Sequence, residues 1–145
     1  MANKKFLLRI ITPAEVKIDE EVDMVIMRST NGDVGILAGH ESRSFALDYG
    51  ITRILNDGEE RRIGTFGGFA IMQDNLLTIS TSNAEWPEDI DRIQAEADRE
   101  HAELDLKEKL DDTGLQSAKL LLRRSLVQIE VSSYSIINKQ TEEEK

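Results

Sequence analysis

Up to about Asn83, short β-branched and apolar runs alternate with turn residues, at the spacing of a sandwich or barrel. The runs predict strands at 6–12, 15–18, 22–29, 34–37, 44–49, 52–55, 61–66, 69–73 and 76–81. Between them, Asn31-Gly32 and Asn56-Asp57-Gly58 supply the positive φ angles that tight hairpins require, and Asp74-Asn75 is a weaker form of the same signal. The 22–27 run is apolar on both faces, which suits a strand covered by a second sheet or by a partner.

From Pro87 onward the period changes from two to between three and four. Ile90, Ile93, Ala97, His101 and Leu104 draw one stripe and predict a helix over 88–110. Pro87 fits a first turn, and Glu88 and Asp89 put negative charge at the positive end of the dipole. Glu103 with Lys107 and Asp105 with Lys109 are i,i+4 pairs. After a break at 111–114, Thr113 and Gln116 match a capping box, and Leu115, Ala118, Leu122, Ser125 and Ile129 form a second stripe. The short connection predicts an antiparallel hairpin, held by small residues such as Ala95, Ala97, Ala102 and Ala118, with a frayed tail at 140–145. The expected fold is thus an all-β sandwich over 1–86 followed by a C-terminal antiparallel α-helical hairpin over 87–145.

Charge narrows the choice of partners. The chain has 145 residues with 28 acidic against 18 basic, a net charge of −10 that repels a phosphate backbone, so nucleic acid is excluded as an expected partner. The acids crowd the first helix, where 88–112 carries eleven against four bases; 113–139 carries four bases against Glu130 alone. Such helices attract each other, and the second is drawn to any acidic surface nearby. No run approaches the ~20 apolar residues of a bilayer span, and the 6–11 run, broken by Arg9, makes no signal-peptide core. Any membrane association is therefore expected only through a partner.

Candidate chemistry is sparse. There is no cysteine, and the two histidines, His40 and His101, are far apart, so neither a thiolate nor a paired-imidazole metal site is expected. His40 is expected to hydrogen-bond a turn, and His101 to be a partly buried member of the helix stripe. The glycines of Gly32-Asp33-Val34-Gly35-Ile36-Leu37-Ala38-Gly39-His40 lack the Gly-Lys-Ser/Thr of a phosphate loop, and no serine sits in a nucleophile elbow. No catalytic residue is nominated. Besides a subunit of a larger assembly, these residues leave open a free-standing regulatory module whose sandwich binds a small ligand and whose hairpin dimerises.

Over nearly its whole length the chain resembles the epsilon subunits of rotary F-type ATP synthases. The resemblance rests on Thr12-Pro13, the 32–40 glycine-rich segment, Gly67-Gly68-Phe69, and Ala84-Glu85 leading into Ile90-Asp91. It implies a sandwich of about ten strands that docks on the rotor through a loop containing Gly35, Gly39 and His40. The implied partners are the gamma subunit, the c-ring and the alpha and beta subunits, at the cytoplasmic face of the cell membrane. It also implies a non-catalytic role in coupling rotation to ATP synthesis, with a hairpin that unfolds into the catalytic head and blocks ATP hydrolysis. Lys119, Arg123 and Arg124 fall where such subunits meet an acidic segment of beta. Two departures lie in the glycine-rich loop, where Ala38 and Ser42 stand at positions that often carry proline.

Some members of the family bind ATP on the folded hairpin. Glu85, Asp91 and Arg124 match that pattern, but Gln94, His101 and Gln128 stand where binders carry arginine. Losing charge-assisted contacts worth very roughly 1.5–3 kcal/mol each makes weak ATP binding or none the expectation, and no other cofactor is implied.

Overall fold

The computed structural model describes residues 4–108 and 110–143, with side chains described as far as Tyr134. The chain divides into two compact units between Ala84 and Glu85.

The first unit is a β-sandwich built from β1 (Phe6–Ile11), β2 (Val16–Val22), β3 (Met24–Ser29), β4 (Gly32–Leu37), β5 (Arg43–Asn56), β6 (Glu59–Gln73) and β7 (Leu76–Ser80); the two-residue β8 (Ala84–Glu85) straddles the boundary, and Glu85 is the first residue of the second unit. The strand order is β2-β1-β7-β6-β5-β3-β4, and β8 pairs with β6 off this path. All neighbours on the path are antiparallel except β1 and β7, which are parallel. The Thr12-Pro13 step makes the first turn: the Thr12 N–H donates to the Glu15 carbonyl at 2.9 Å, and the Glu15 N–H donates to Thr12 Oγ1 at 3.2 Å. Pro13, with φ fixed and no donor to lose, suits the inside of that turn.

Among the described residues eight strands stand where the resemblance implied about ten: of the nine predicted runs two pairs are continuous, and β8 is added. Segments 44–49 and 52–55 belong to β5, and 61–66 and 69–73 belong to β6. Register between β5 and β6 is constant and skips only Asp48 opposite Gly67. Burial changes phase there: Phe45 and Leu47 face the core on one side of it, Thr52 and Ile54 on the other. The same reversal separates Ile63 from Ala70 and Met72. Gly67 (φ +72°) and Gly68 (φ +101°) supply the backbone that interrupts the alternation. Each long strand thereby serves both layers.

The 22–27 run divides into the end of β2 and an alternating β3, with Val25 and Met27 fully buried and Met24 and Ile26 partly exposed, so within this chain only one face of β3 is covered. Core side chains come from alternate positions of every long strand, among them Phe6, Leu8, Ile10, Val22, Ile36, Leu77 and Ile79. The edges are blunted. β2 carries Lys17, Asp19, Glu20 and Glu21, and β4 carries Gly32, Asp33 and Gly35.

The second unit begins with a 3-10 turn at Pro87–Asp89, followed by α1 (Arg92–Lys107) and α2 (Asp112–Glu143). The helices are unequal, 16 against 32 residues, or about 24 Å against 48 Å. Asp91 caps α1 by accepting from the Gln94 N–H at 3.0 Å. Asp111, rather than Thr113, caps α2, accepting from the Gly114 N–H at 2.7 Å. An aspartate one position outside the first turn wins because its carboxylate reaches the free amides that Thr113, already inside the helix, cannot serve.

The face buried by α1 also differs from the expected stripe. Ala95 and Ala102 are buried, whereas Ile93 is 83% and Leu104 61% exposed, and Ala97 and His101 are exposed as well. On α2, Ala118, Ser125 and Ser132 are buried, together with Val127 and Val131. The buried small residues recur one heptad apart on both helices, so the hairpin closes on a narrow small-residue seam. His101 pairs with Asp105 (3.3 Å) and Glu103 with Arg99 (3.9 Å); Lys109 and the last two residues of the tail lie outside the described residues, while 140–143 continue α2.

Candidate functional site

In the second unit, three of the candidate residues converge. Glu85 precedes the 3-10 turn, and its side chain is only 15% exposed. The amide nitrogen of Gln128 donates to both carboxylate oxygens, at 3.1 and 3.0 Å. Arg124 Nη2 lies 3.7 Å from Glu85 Oε1. Arg124 and Gln128 are one helical turn apart and so share a face of α2.

The other candidates are engaged elsewhere. The Asp91 carboxylate is the α1 cap, and the Gln94 side-chain amide donates to Asp98 Oδ1 at 2.9 Å. His101, expected in a partly buried stripe, lies on an exposed face because Ala95 and Ala102 form the seam instead. The set Glu85, Asp91, Gln94, His101, Arg124 and Gln128 contains one guanidinium and two carboxylates. Lys119, Arg123 and Arg124 lie on exposed positions of α2.

In the first unit, the glycine-rich segment forms edge strand β4 and the turn after it. Gly39 adopts φ +79°, and its N–H donates to Asn75 Oδ1 at 3.0 Å. Asn75 also donates through Nδ2 to the Lys5 carbonyl at 2.9 Å, while its own carbonyl accepts from the Leu7 N–H at 3.1 Å. One turn residue thus ties the loop to the start of β1. The His40 N–H donates to the Leu37 carbonyl at 3.2 Å, and its Nδ1 hydrogen-bonds the Glu41 carbonyl at 2.8 Å. Gly35 lies in β4 itself, where an added Cβ would come within 2.8 Å of Met24 Cε.

Beside this loop is a groove of about 490 Å³ lined by residues including Asp23, Met24, Leu37, Ala38, Leu55 and Glu60. Lys5 closes one side of the neighbouring rim, 2.8 Å from Asp57 and 3.5 Å from Asp23, and it also bonds Asn56. The Asp57 hydrogen bond, outweighing some desolvation, holds the Lys5 ammonium above its ordinary pKa, with Asp23 adding to the effect. Among the described residues, no group of three or more His, Cys, Asp or Glu side chains converges as a metal site would need.

Sequence reasoning did not find Asn75 or Asp111. Asp74-Asn75 carried a turn signal, but nothing local points to a side chain that reaches Gly39, 36 positions away.

Comparison with known proteins defines the class. The family model for the ATP synthase delta/epsilon chain β-sandwich domain matches residues 5–87. The ATP synthase epsilon chain of Alkaliphilus oremlandii is 42% identical over 98 residues, which cover 68% of this chain and 73% of that one. Those of Bacillus velezensis (33% identical; 89% of this chain, 98% of that one) and Caldicellulosiruptor bescii (31%; 88% and 93%) span the helices as well. Among solved structures, a chain of the Euglena gracilis mitochondrial ATP synthase, from its OSCP/F1/c-ring assembly, superposes with a TM-score of 0.77 at 25% identity, covering 87% of this chain and 79% of that one. The chain belongs to the delta/epsilon family of ATP synthase subunits. Within that family, the relatives that it matches over most of their length are ATP synthase epsilon chains. No described helix is long and apolar enough to cross a membrane.

Proposed function

We propose that the chain is a non-catalytic coupling subunit whose helical hairpin brakes ATP hydrolysis. The sandwich docks on gamma and the c-ring through Gly35 of edge strand β4 and the turn of Gly39 and His40 that follows it, at the cytoplasmic face of the membrane. The hairpin exchanges its own contacts for contacts with the alpha and beta subunits, and Lys119, Arg123 and Arg124 meet acidic residues of beta.

The observation that carries this reading is the make-up of the hairpin. Its buried seam consists largely of alanine and serine, while Ile93, Leu104, Leu120 and Leu126 remain exposed. Alanine and serine bury little apolar area, so the closed hairpin is held by a small free energy. Reversing a 99:1 population takes about 5.5 kcal/mol of differential binding, within the range of apolar contacts plus a basic helix in an acidic cleft.

The test is ATP hydrolysis by the reconstituted catalytic complex with the full chain, a chain ending at Asn83, and a Lys119/Arg123/Arg124→Ala variant. Truncation is expected to release hydrolysis while leaving assembly intact, and the triple variant to release it in part. Hydrolysis equal in all three complexes would remove the brake.

A further inference from the structure

We infer that the Glu85 carboxylate is a built-in latch that keeps α2 folded against α1 without a bound nucleotide. The regulatory meaning of the latch rests on the brake reading; its existence does not.

The hairpin is closed at its turn by the short connection 108–111, where Asp111 caps α2. At the opposite end nothing covalent holds the helices together, and there Glu85 stands, just before the turn that leads into α1. Its two oxygens accept from Gln128, and Arg124 approaches one of them from the preceding turn of α2. Separating α2 from α1 therefore breaks a charge-assisted hydrogen bond and an ion pair at once. Because the carboxylate is only 15% exposed, its contacts are less screened than those of a surface pair.

The same geometry explains why no ligand is needed. An anionic ligand would stabilise a closed hairpin by bridging cations on its helices, but here the protein's own carboxylate occupies that bridging role. A polyphosphate entering beside Glu85 would compete with a charge of its own sign for the single Arg124 guanidinium. Gln128 fits the latch because a neutral amide donor satisfies the carboxylate without adding a second cation that would attract an anion.

The latch is tested by amide hydrogen exchange on the isolated full-length chain, with and without millimolar Mg-ATP. Glu85→Ala is expected to speed exchange over 118–132 about tenfold, as loss of a partly screened charged hydrogen bond implies. Gln128→Ala should give a smaller acceleration in the same segment, and the double variant should match Glu85→Ala, since both remove one interaction. Exchange in β1 and β5 serves as an internal reference and stays unchanged. Mg-ATP should leave the wild-type rates as they are. Wild-type rates in both single variants, additive effects in the double, or slowing of α2 exchange by Mg-ATP would each overturn the latch. None of these readouts involves hydrolysis, so the latch and the brake stand or fall separately.

Discussion

Gly68 packs directly on the backbone of Ser80: a Cβ built on the glycine would stand 1.9 Å from the Ser80 carbonyl oxygen. The obstacle is main chain in the adjoining strand, so no side-chain rotation relieves it. Gly68→Ala must also hold φ near +101°. The expected loss is at least about 3 kcal/mol, seen as a large fall in thermal midpoint. Gly32 has a similar φ of +111° but nothing within 4 Å of an added Cβ, so Gly32→Ala should cost only about 1–2 kcal/mol. Equal losses in the two variants would contradict the close-approach account.

Arg53 and Arg62 face each other across β5 and β6, and Glu60 holds both. Burial works to raise the Glu60 pKa, but hydrogen bonds from Arg53 and Arg62 outweigh it and set the carboxyl below its ordinary 4.5. Its stabilising effect is complete above 4.5 and disappears as pH falls through the lowered folded value. Glu60→Gln should therefore be less stable than wild type at neutral pH, with the gap closing below 4.5. Denaturant titrations at a series of pH values check this; a gap that widens in acid would refute it.

The hydroxyls of Thr52 and Thr65 meet at 3.0 Å in the core, 0% and 2% exposed. Thr52→Val leaves Thr65 only a long contact with the Gly50 carbonyl at 3.4 Å, and a cost of about 1–2 kcal/mol is expected. Replacing both by valine should recover most of that loss, because no buried hydroxyl is then stranded. A double variant as unstable as the sum of the singles would show that the pair does not act as a unit.

Ala102 is fully buried in the narrow seam of the hairpin. Ala102→Leu should overpack it by about 1–3 kcal/mol and favour separation of the helices. Limited proteolysis is expected to cut α2 faster while the sandwich keeps its thermal midpoint. Unchanged cleavage would mean that the seam has room to spare.

The turns were the most legible part of the sequence, because positive φ is a local demand. Asp57 and Gly58 adopt it, and Asp74-Asn75, read as the weaker signal, adopts it at both residues. The long strands were harder. The 48–50 and 67–68 segments look like breaks, yet their register continues, and only pairing across the sheet reveals this. The α1 stripe misled for a different reason: periodicity weights large apolar side chains, and this helix buries alanine while leaving Ile93 and Leu104 outside. Of the candidate site, the identities of Glu85, Arg124 and Gln128 could be read beforehand, but their meeting across 43 positions is a product of the fold.

The ribbon of β5 and β6 belongs to both layers of the sandwich. One layer cannot slide over the other without shearing a ladder of backbone bonds that runs through both. A twisting force entering at one rim is thus carried to the opposite rim through continuous main chain.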